Sequence, residues 1–461
     1  MTLSLAKAIA SRARAAGGRA VLVGGCVRDG LLGHESKDTD LEVFGLDLRT
    51  LTHLLESFGH VNAVGRSFGV LKVGELDVSV PRRDSKTGAG HKGFLVEPDP
   101  SMTFAEAARR RDFTMNAIGL DPLTGEILDP YDGRGDLSRK LLRRVDPATF
   151  LEDPLRFLRA AQFLARFDLV PEPGLVDAAR DQRATLGELP PERVYEEWVK
   201  LLTKGVLPSR GLTFLHDTGI DALLFPEVFA LAGCPQDPEW HPEGDVFVHT
   251  LMALDVAATF RTGDRDDDLT LMFGVLCHDL GKPPTTAFEE GRWRSKAHEV
   301  AGIAPTEAFL TRMKAPAHLV RQVAALVADH LAPAHFQKSL PGPKAYRRLA
   351  RKLGEAGTTM EMLHRVARSD HFGRTTPDAL AREFPAGDSF LATAREIAVE
   401  RKPEPDVVLG RHLIALGMKP GPSFGPILAR CRDLQYESGS RDVDEILRTA
   451  LAEEFPTLLP A

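Results

Sequence analysis

Residues 21–44 read VLVGGCVRDGLLGHESKDTDLEVF, and the Asp38-Thr39-Asp40 step places two carboxylates one residue apart after a glycine turn. On a strand, residues i and i+2 project to the same face, so the two acids stand side by side. Carboxylates that close repel unless a cation lies between them. ELDVSV, residues 75–80, supplies a third acid, Asp77, on a neighbouring expected strand. Three carboxylates on adjacent strands can bind two Mg²⁺ ions, because hard cations take oxygen ligands and Mg²⁺ keeps room for substrate phosphates. Two such ions clamp the attacking and leaving oxygens of an in-line phosphoryl transfer. Gly24 and Gly25 let backbone approach a phosphate closely, and Arg28 can neutralise its charge. The alternative is a solvated turn, where Asp is common.

A second set of residues suits different chemistry. LMFGVLCHDLGKP ends an apolar helix on His278-Asp279, with Gly281 and Pro283 as its stop. His249 lies upstream in GDVFVHTLMAL, and Asp370 downstream in ARSDHFGR. Mixed imidazole and carboxylate ligation suits a divalent transition metal that polarises water for phosphoester hydrolysis. His298 and His330 are further candidate ligands or phosphate contacts. A single histidine in a helical body is ordinarily a core residue, whereas a doublet with spaced partners reads as a site.

The elements that must position these residues change character along the chain. Up to about residue 130, short β-rich runs (AVLVGGCV, DLEVFGL, SFGVLKV, ELDVSV) alternate with short helices, each bounded by Gly, Pro or Asp. From about residue 146 long amphipathic helices take over. DPLRFLRAAQFLARF has apolar residues at helical spacing, and PPERVYEEWVKLLTKG opens on proline and closes on glycine. The Pro-rich stretch at 233–245 and a second at 382–389 read as joints. The expected fold is an α/β head with a small mixed sheet over 1–145, then helical segments over 146–215, 216–380 and 381–461.

Composition narrows the class. Hydrophobic content of 43% and charged content of 27% belong to a globular chain of several domains. No run approaches the ~20 apolar residues of a membrane span. The first 18 residues form an amphipathic pattern with scattered arginines and lack the pattern of a secretory signal. Cys26, Cys234, Cys277 and Cys431 are far apart, which fits reduced thiols in a cytoplasm. A net charge of −7 argues against a uniformly basic nucleic-acid binder, but basic runs at 109–111, 134–144 and 344–352 leave local patches.

The order of these segments resembles one family. GGCVRD followed by DTD is similar to the signature of the polymerase-β superfamily in its class II tRNA nucleotidyltransferase branch. RRRDFTMNAIGLDPLTGEILDPYDG, LEDPLRFLRAAQF and PERVYEEWVKLL resemble that family's later motifs in sequence order, over residues 20–203. The resemblance implies a polymerase-β-like head followed by an all-α neck, an HD body and a tail. It also implies template-independent addition of C, C and A to the 3′ end of tRNA from CTP and ATP. Mg²⁺ would sit at Asp38 and Asp40, and no obligate protein partner or membrane is called for. A concave basic strip would hold the tRNA. A-adding, CC-adding and poly(A) polymerase activities are the alternatives.

The resemblance also assigns residues. Asp153 and Arg156 read the base, supported by Glu152, while Arg111 and Arg159 contact nucleotide and Asp112 and Asn116 shape the pocket. The physics suits that assignment: cytosine and adenine both present an exocyclic amino donor beside a ring-nitrogen acceptor. An Asp acceptor and an Arg donor at i, i+3 can match that pair, and the opposite polarity of uracil or guanine leaves buried groups unpaired at ~1–3 kcal/mol each. Many relatives carry an arginine where this chain has Gln162. Between Asp77 and Arg109 the family has a flexible loop used to switch from CTP to ATP. Gly88, Gly90 and Gly93 keep that stretch long here, which argues against CC addition alone. The His249, His278-Asp279, Asp370 order resembles HD phosphohydrolases, which implies hydrolysis of phosphate or 2′,3′-cyclic phosphate at RNA ends.

Overall fold

The computed structural model describes residues 2–35, 39–64, 70–86 and 94–454. Asp38 and the glycines at 88, 90 and 93 lie outside the described residues. The chain divides into two compact units, Met1–Phe225 and Pro226–Ala461.

The first unit is built on a mixed sheet. Its strands are β1 (Arg19–Val23), β2 (Thr39–Phe44), β3 (Val61–Val64), β4 (Val70–Val73) and β5 (Leu76–Ser79). β6 (Arg82–Lys86) and β7 (Phe94–Pro98) pair as a separate hairpin, and β8 (Gly119–Leu120) and β9 (Ile127–Leu128) close the main sheet. The order is β3-β4-β5-β2-β1-β8-β9, with β2 and β5 parallel and the other neighbours antiparallel. Apolar residues of the helix Thr2–Ala15 (Ala6, Ile9, Ala13) pack with Leu41, Val43, Leu76 and Val78, while Val21, Val23, Phe44, Met102 and Ala107 form a second cluster. The AVLVGGCV run, expected as one strand, stops at Val23. Gly24 takes φ 76°, a left-handed conformation that ends the strand and opens the helix Gly25–Leu31.

The head continues into helices through an aromatic cluster. Phe113 packs edge-on against Phe150 and Phe163, and Phe150 against Phe157, at 5.3–5.6 Å between centroids. The helix Leu155–Phe167 buries Phe157, Leu158, Phe163 and Leu164. Each such side chain contributes about 1.5–3 kcal/mol of burial, enough to hold this helix at a fixed angle against the 110–118 segment.

The second unit is helical. Its centre is Arg265–Cys277, in which every residue from Asp268 to Cys277 is buried. An element buried all round must be sheathed by others. Val246–Ala258, Ala317–Asp329 and Met360–Phe372 provide that sheath. Toward the C-terminus, Val408, Leu413, Ile427, Cys431, Ile446 and Leu451 form a small separate core. The Pro-rich 233–245 stretch, expected as a joint, lies inside this unit; the division falls at Phe225/Pro226. Gly and Pro there mark irregular backbone, and that backbone is tied down: Val246 N donates to Cys234 O, and Gly233 N to the Asp245 carboxylate.

Candidate functional sites

In the first unit, β2 and β5 run parallel with Asp40 directly opposite Asp77. Asp40 is exposed and Asp77 half-buried, with Lys72 Nζ 3.8 Å from Asp77 Oδ1. Carboxylates from two strands on one sheet face, one exposed and one half-buried, are a donor set that fits a hard cation such as Mg²⁺. Gly24 stands beside it. A Cβ at this position would lie 3.1 Å from Arg111 Nη1, the end of a flexible side chain, and at an ordinary 3.5 Å from Asp40 Oδ2, so it is the left-handed φ that calls for glycine. The Arg111 guanidinium also lies 3.6 Å from Glu42 Oε2. Glu42 is buried at 1% exposure, two residues beyond Asp40 on β2, with Arg110 3.4 Å from its other oxygen. Sequence reading passed over Glu42, whose only signal is its i+2 position.

Behind the acids runs a buried polar ladder. Arg28 Nε donates to Asp29 Oδ1 at 2.8 Å and Nη1 to Asn116 Oδ1 at 2.5 Å. Asn116 Nδ2 donates to Asp112 Oδ1 at 2.9 Å, and Arg159 Nε to Asp112 Oδ2 at 2.7 Å. Arg166 closes the other end on Asp29 Oδ2 at 3.1 Å. Burial acts to raise the Asp112 carboxyl, but Arg159 and Asn116 outweigh it and hold it below the usual carboxylate range. Arg28, expected to neutralise phosphate, is only 3% exposed and lies over the Phe167 ring at 4.6 Å. Here it ties three elements together: the helix Gly25–Leu31, the Thr114–Asn116 turn and the helix Leu155–Phe167.

Glu152, Asp153 and Arg156 come together at the start of that helix, all half-buried. Asp153 Oδ1 accepts from Leu155 N at 3.1 Å, and Oδ2 from Arg193 at 3.3 Å. Arg156 donates to two backbone carbonyls, Thr149 O at 2.6 Å and Arg110 O at 2.8 Å. Asp153 is therefore paired with Arg193, from the helix Pro191–Lys204, which sequence spacing could not reveal. Gln162 is 2% exposed, and its Nε2 has no hydrogen-bond partner among the described residues.

In the second unit the four expected residues converge, and His298 and His330 join them. His249 Nε2 lies 3.1 Å from Asp370 Oδ1, and His278 Nε2 lies 3.8 Å from the same oxygen and 3.2 Å from Asp279 Oδ2. His298 Nε2 lies 3.4 Å from Asp279 Oδ1 and 3.2 Å from His330 Nε2. The tautomers follow from the outward bonds. Nδ1 of His278, His298 and His330 faces the carbonyls of Val275, Ser295 and Val327, which can only accept. Each Nε2 thus points inward, at the Asp279 carboxylate for His278 and His298 and at His298 for His330, where a bound cation would take its lone pair. Lone pairs and carboxylate oxygens without protons between them fit a metal cation. Two donor groups, His249-His278-Asp279 and Asp279-His298-His330, share Asp279.

Charges around the cluster reinforce one another. Burial would raise Asp279 and Asp370, but His278 and Lys282 around the first, and Arg374 and His249 around the second, hold both well below the carboxylate range. Burial, with His298 and His278 nearby, pushes His330 down to about 3. Lys282 Nζ pairs with Asp279 Oδ2 at 2.8 Å, and Arg374 donates to both Asp370 oxygens at 3.1 and 3.2 Å. Neither cation was singled out in the sequence, although Lys282 stands three residues after Asp279.

Known proteins resemble this chain in both units. Residues 20–143 match the poly A polymerase head domain, 168–231 the probable RNA and SrmB-binding site of polymerase A, and 246–363 the HD domain. The fold is shared with the Bacillus stearothermophilus CCA-adding enzyme in complex with CTP (TM-score 0.65, 23% identity, 98% of this chain and 97% of that one). It is also shared with the Thermotoga maritima CCA-adding enzyme complexed with tRNA (TM-score 0.59, 17% identity, 97% and 94%). Among curated relatives, the multifunctional CCA protein of Stenotrophomonas maltophilia K279a is 42% identical over 321 residues, 67% of this chain and 75% of that protein. That of Xanthomonas campestris pv. campestris B100 is 36% identical over 422 residues, 89% of this chain and 96% of that protein, and on this likeness the chain belongs to the multifunctional CCA protein family.

Proposed function

We propose that this enzyme adds C, C and then A to the 3′ end of tRNA from CTP and ATP without a nucleic-acid template, and that its HD cluster hydrolyses phosphoesters at RNA 3′ ends. The observation that carries the first activity is the in-register pair Asp40 and Asp77 beside Gly24 and Arg111. Asp40 and Asp77, with Asp38 two residues before Asp40 in sequence, are the residues that would hold Mg²⁺. When bound, that ion supplies positive charge to the oxygens exchanged at the α-phosphate. Arg111 and Arg159 neutralise the triphosphate, and the Arg28-Asn116-Asp112 ladder holds Arg159 still. Such prior fixing of donors is the main way a protein lowers the barrier of phosphoryl transfer.

Base choice is assigned to Asp153 and Arg156. In the structure Arg156 bonds backbone and Asp153 bonds Arg193, so reading a base means exchanging these partners for the edge of cytosine or adenine. That exchange fits a pocket that serves two bases in succession. We assign the head to 1–145, the neck to 146–215, the HD body to 216–380 and a tRNA-binding tail to 381–461, in a cytoplasmic enzyme. Among the described residues no helix is long and apolar enough to cross a membrane.

In the HD cluster, His249, His278, Asp279 and Asp370 would hold a divalent transition metal, with His298 and His330 completing a donor set large enough for a second ion that shares Asp279. Such a metal supplies an activated water for phosphoester hydrolysis. Lys282 and Arg374 carry the positive charge a phosphate needs nearby.

The test is nucleotide incorporation on tRNA transcripts lacking CCA, ending in C and ending in CC, each given CTP, ATP or both with Mg²⁺. Ordered addition of C, C and A followed by a halt is expected. Addition of A alone, on the CC-ending transcript alone, would make this an A-adding enzyme; arrest after CC would make it a CC-adding one; unlimited A addition would make it a poly(A) polymerase.

A further inference from the structure

Glu243 is 1% exposed on its side chain and lies in the 233–245 loop, two residues before Asp245, which caps the helix Val246–Ala258. One of its oxygens, Oε1, accepts from His249 Nδ1 at 2.8 Å and from His241 Nδ1 at 2.9 Å. The other, Oε2, accepts from the backbone N of Thr375 at 3.1 Å, just beyond the helix that carries Asp370. A carboxylate can only accept, and the other ring nitrogen of His249, Nε2, faces a second one, Asp370 Oδ1, at 3.1 Å; a cation held between Nε2 and Asp370 leaves the ring proton on Nδ1, against Glu243.

The same loop reaches the cluster by a second route. Gln236 Nε2 donates to Gly244 O at 3.2 Å, and its Oε1 accepts from Lys282 Nζ at 2.7 Å, the ammonium paired with Asp279. Gly244 takes φ 131°, a backbone that other residues adopt only under strain, and this turns the chain between Glu243 and the capping Asp245. The loop thus meets His249 through Glu243, Asp279 through Gln236 and Lys282, and the segment after Asp370 through Thr375.

We propose that Glu243 is a positioning residue of the HD centre. It selects the His249 tautomer that offers Nε2 to the metal and fastens the 236–244 loop across the ligands. This rests on the metal-binding reading of the cluster given above. Outer carboxylates bonded to ligand histidines govern both ring orientation and basicity, and losing one costs metal affinity about 10- to 100-fold.

The experiment titrates Co²⁺ alone into the full-length chain, following visible absorption, for wild type, Glu243→Gln, Glu243→Ala, His249→Gln and the double variant His249→Gln/Glu243→Ala. Affinity is expected to fall about 10- to 100-fold in Glu243→Ala and less in Glu243→Gln. In the His249→Gln background, Glu243→Ala is expected to change affinity little further, because its effect passes through His249. CCA addition by the same preparations, carried by the other site, reports that the chain has folded and should not change. Equal Co²⁺ affinity in wild type and Glu243→Ala overturns the proposal. So does a full additional loss in the double variant, which would mean a merely structural carboxylate. Absence of Co²⁺ binding by wild type would overturn the metal reading itself.

Discussion

Asp40 and Asp77 stand opposite each other in parallel register on β2 and β5, so two acids 37 positions apart in sequence share one sheet face. Register decides this, since a slip of one residue would send one of them to the other face.

Asp40→Ala should therefore lower nucleotide addition by about 10³-fold or more, the several kcal/mol that a missing metal ligand removes from the transition state. Binding of tRNA should stay within a few-fold, checked by filter binding at fixed salt. Loss of binding together with activity would make the pair structural.

Substitution at the pair proposed to read the base should change selectivity before speed. Asp153→Ala or Arg156→Ala should raise UTP or GTP incorporation relative to CTP and ATP by roughly 10-fold or more, as one lost discriminating hydrogen bond of ~1–3 kcal/mol implies. Arg193→Ala frees Asp153 from its present partner and should alter KM for nucleotide while keeping base preference. Competition assays with paired nucleotides separate the two outcomes.

His278→Ala should remove transition-metal binding and any 2′,3′-cyclic phosphate hydrolysis while CCA addition continues at the wild-type rate. The two sites belong to different compact units, one built on the sheet core and the other around the buried helix Arg265–Cys277. An equal loss of both activities would contradict independent sites.

Stability should depend on pH through His364. Burial, with Arg368 nearby, pushes this imidazole down to about 4 from an ordinary 6.5. Between those values the unfolded chain binds a proton that the folded one refuses, so stability is lost as pH falls from 6.5 toward 4. The loss is on the order of 2–3 kcal/mol. The ring stacks near Phe384, so His364→Phe keeps an aromatic ring in place and should flatten this part of the Tm-against-pH curve relative to wild type.

Much of this protein was legible in one dimension because its chemistry is written in short runs. Gly24-Gly25, Asp38-Thr39-Asp40 and His278-Asp279 each hold their groups within a few residues, where strand and helix periodicity already decide which side chains are neighbours. Helices such as Leu155–Phe167 and Pro191–Lys204 were readable for the same reason, their apolar spacing and prolines being local signals. Partners drawn from distant segments were not legible. Arg28 belonged, on sequence, to a phosphate, yet folding buries it against Asn116, 88 residues away. Asp153 meets Arg193 across 40 residues, and Glu243 meets Thr375 across 132. Those pairings depend on how packed helices and strands lie against each other, and the 233–245 loop shows the consequence: its composition announced irregular backbone, while only tertiary packing turned that backbone into a strap across a candidate metal centre.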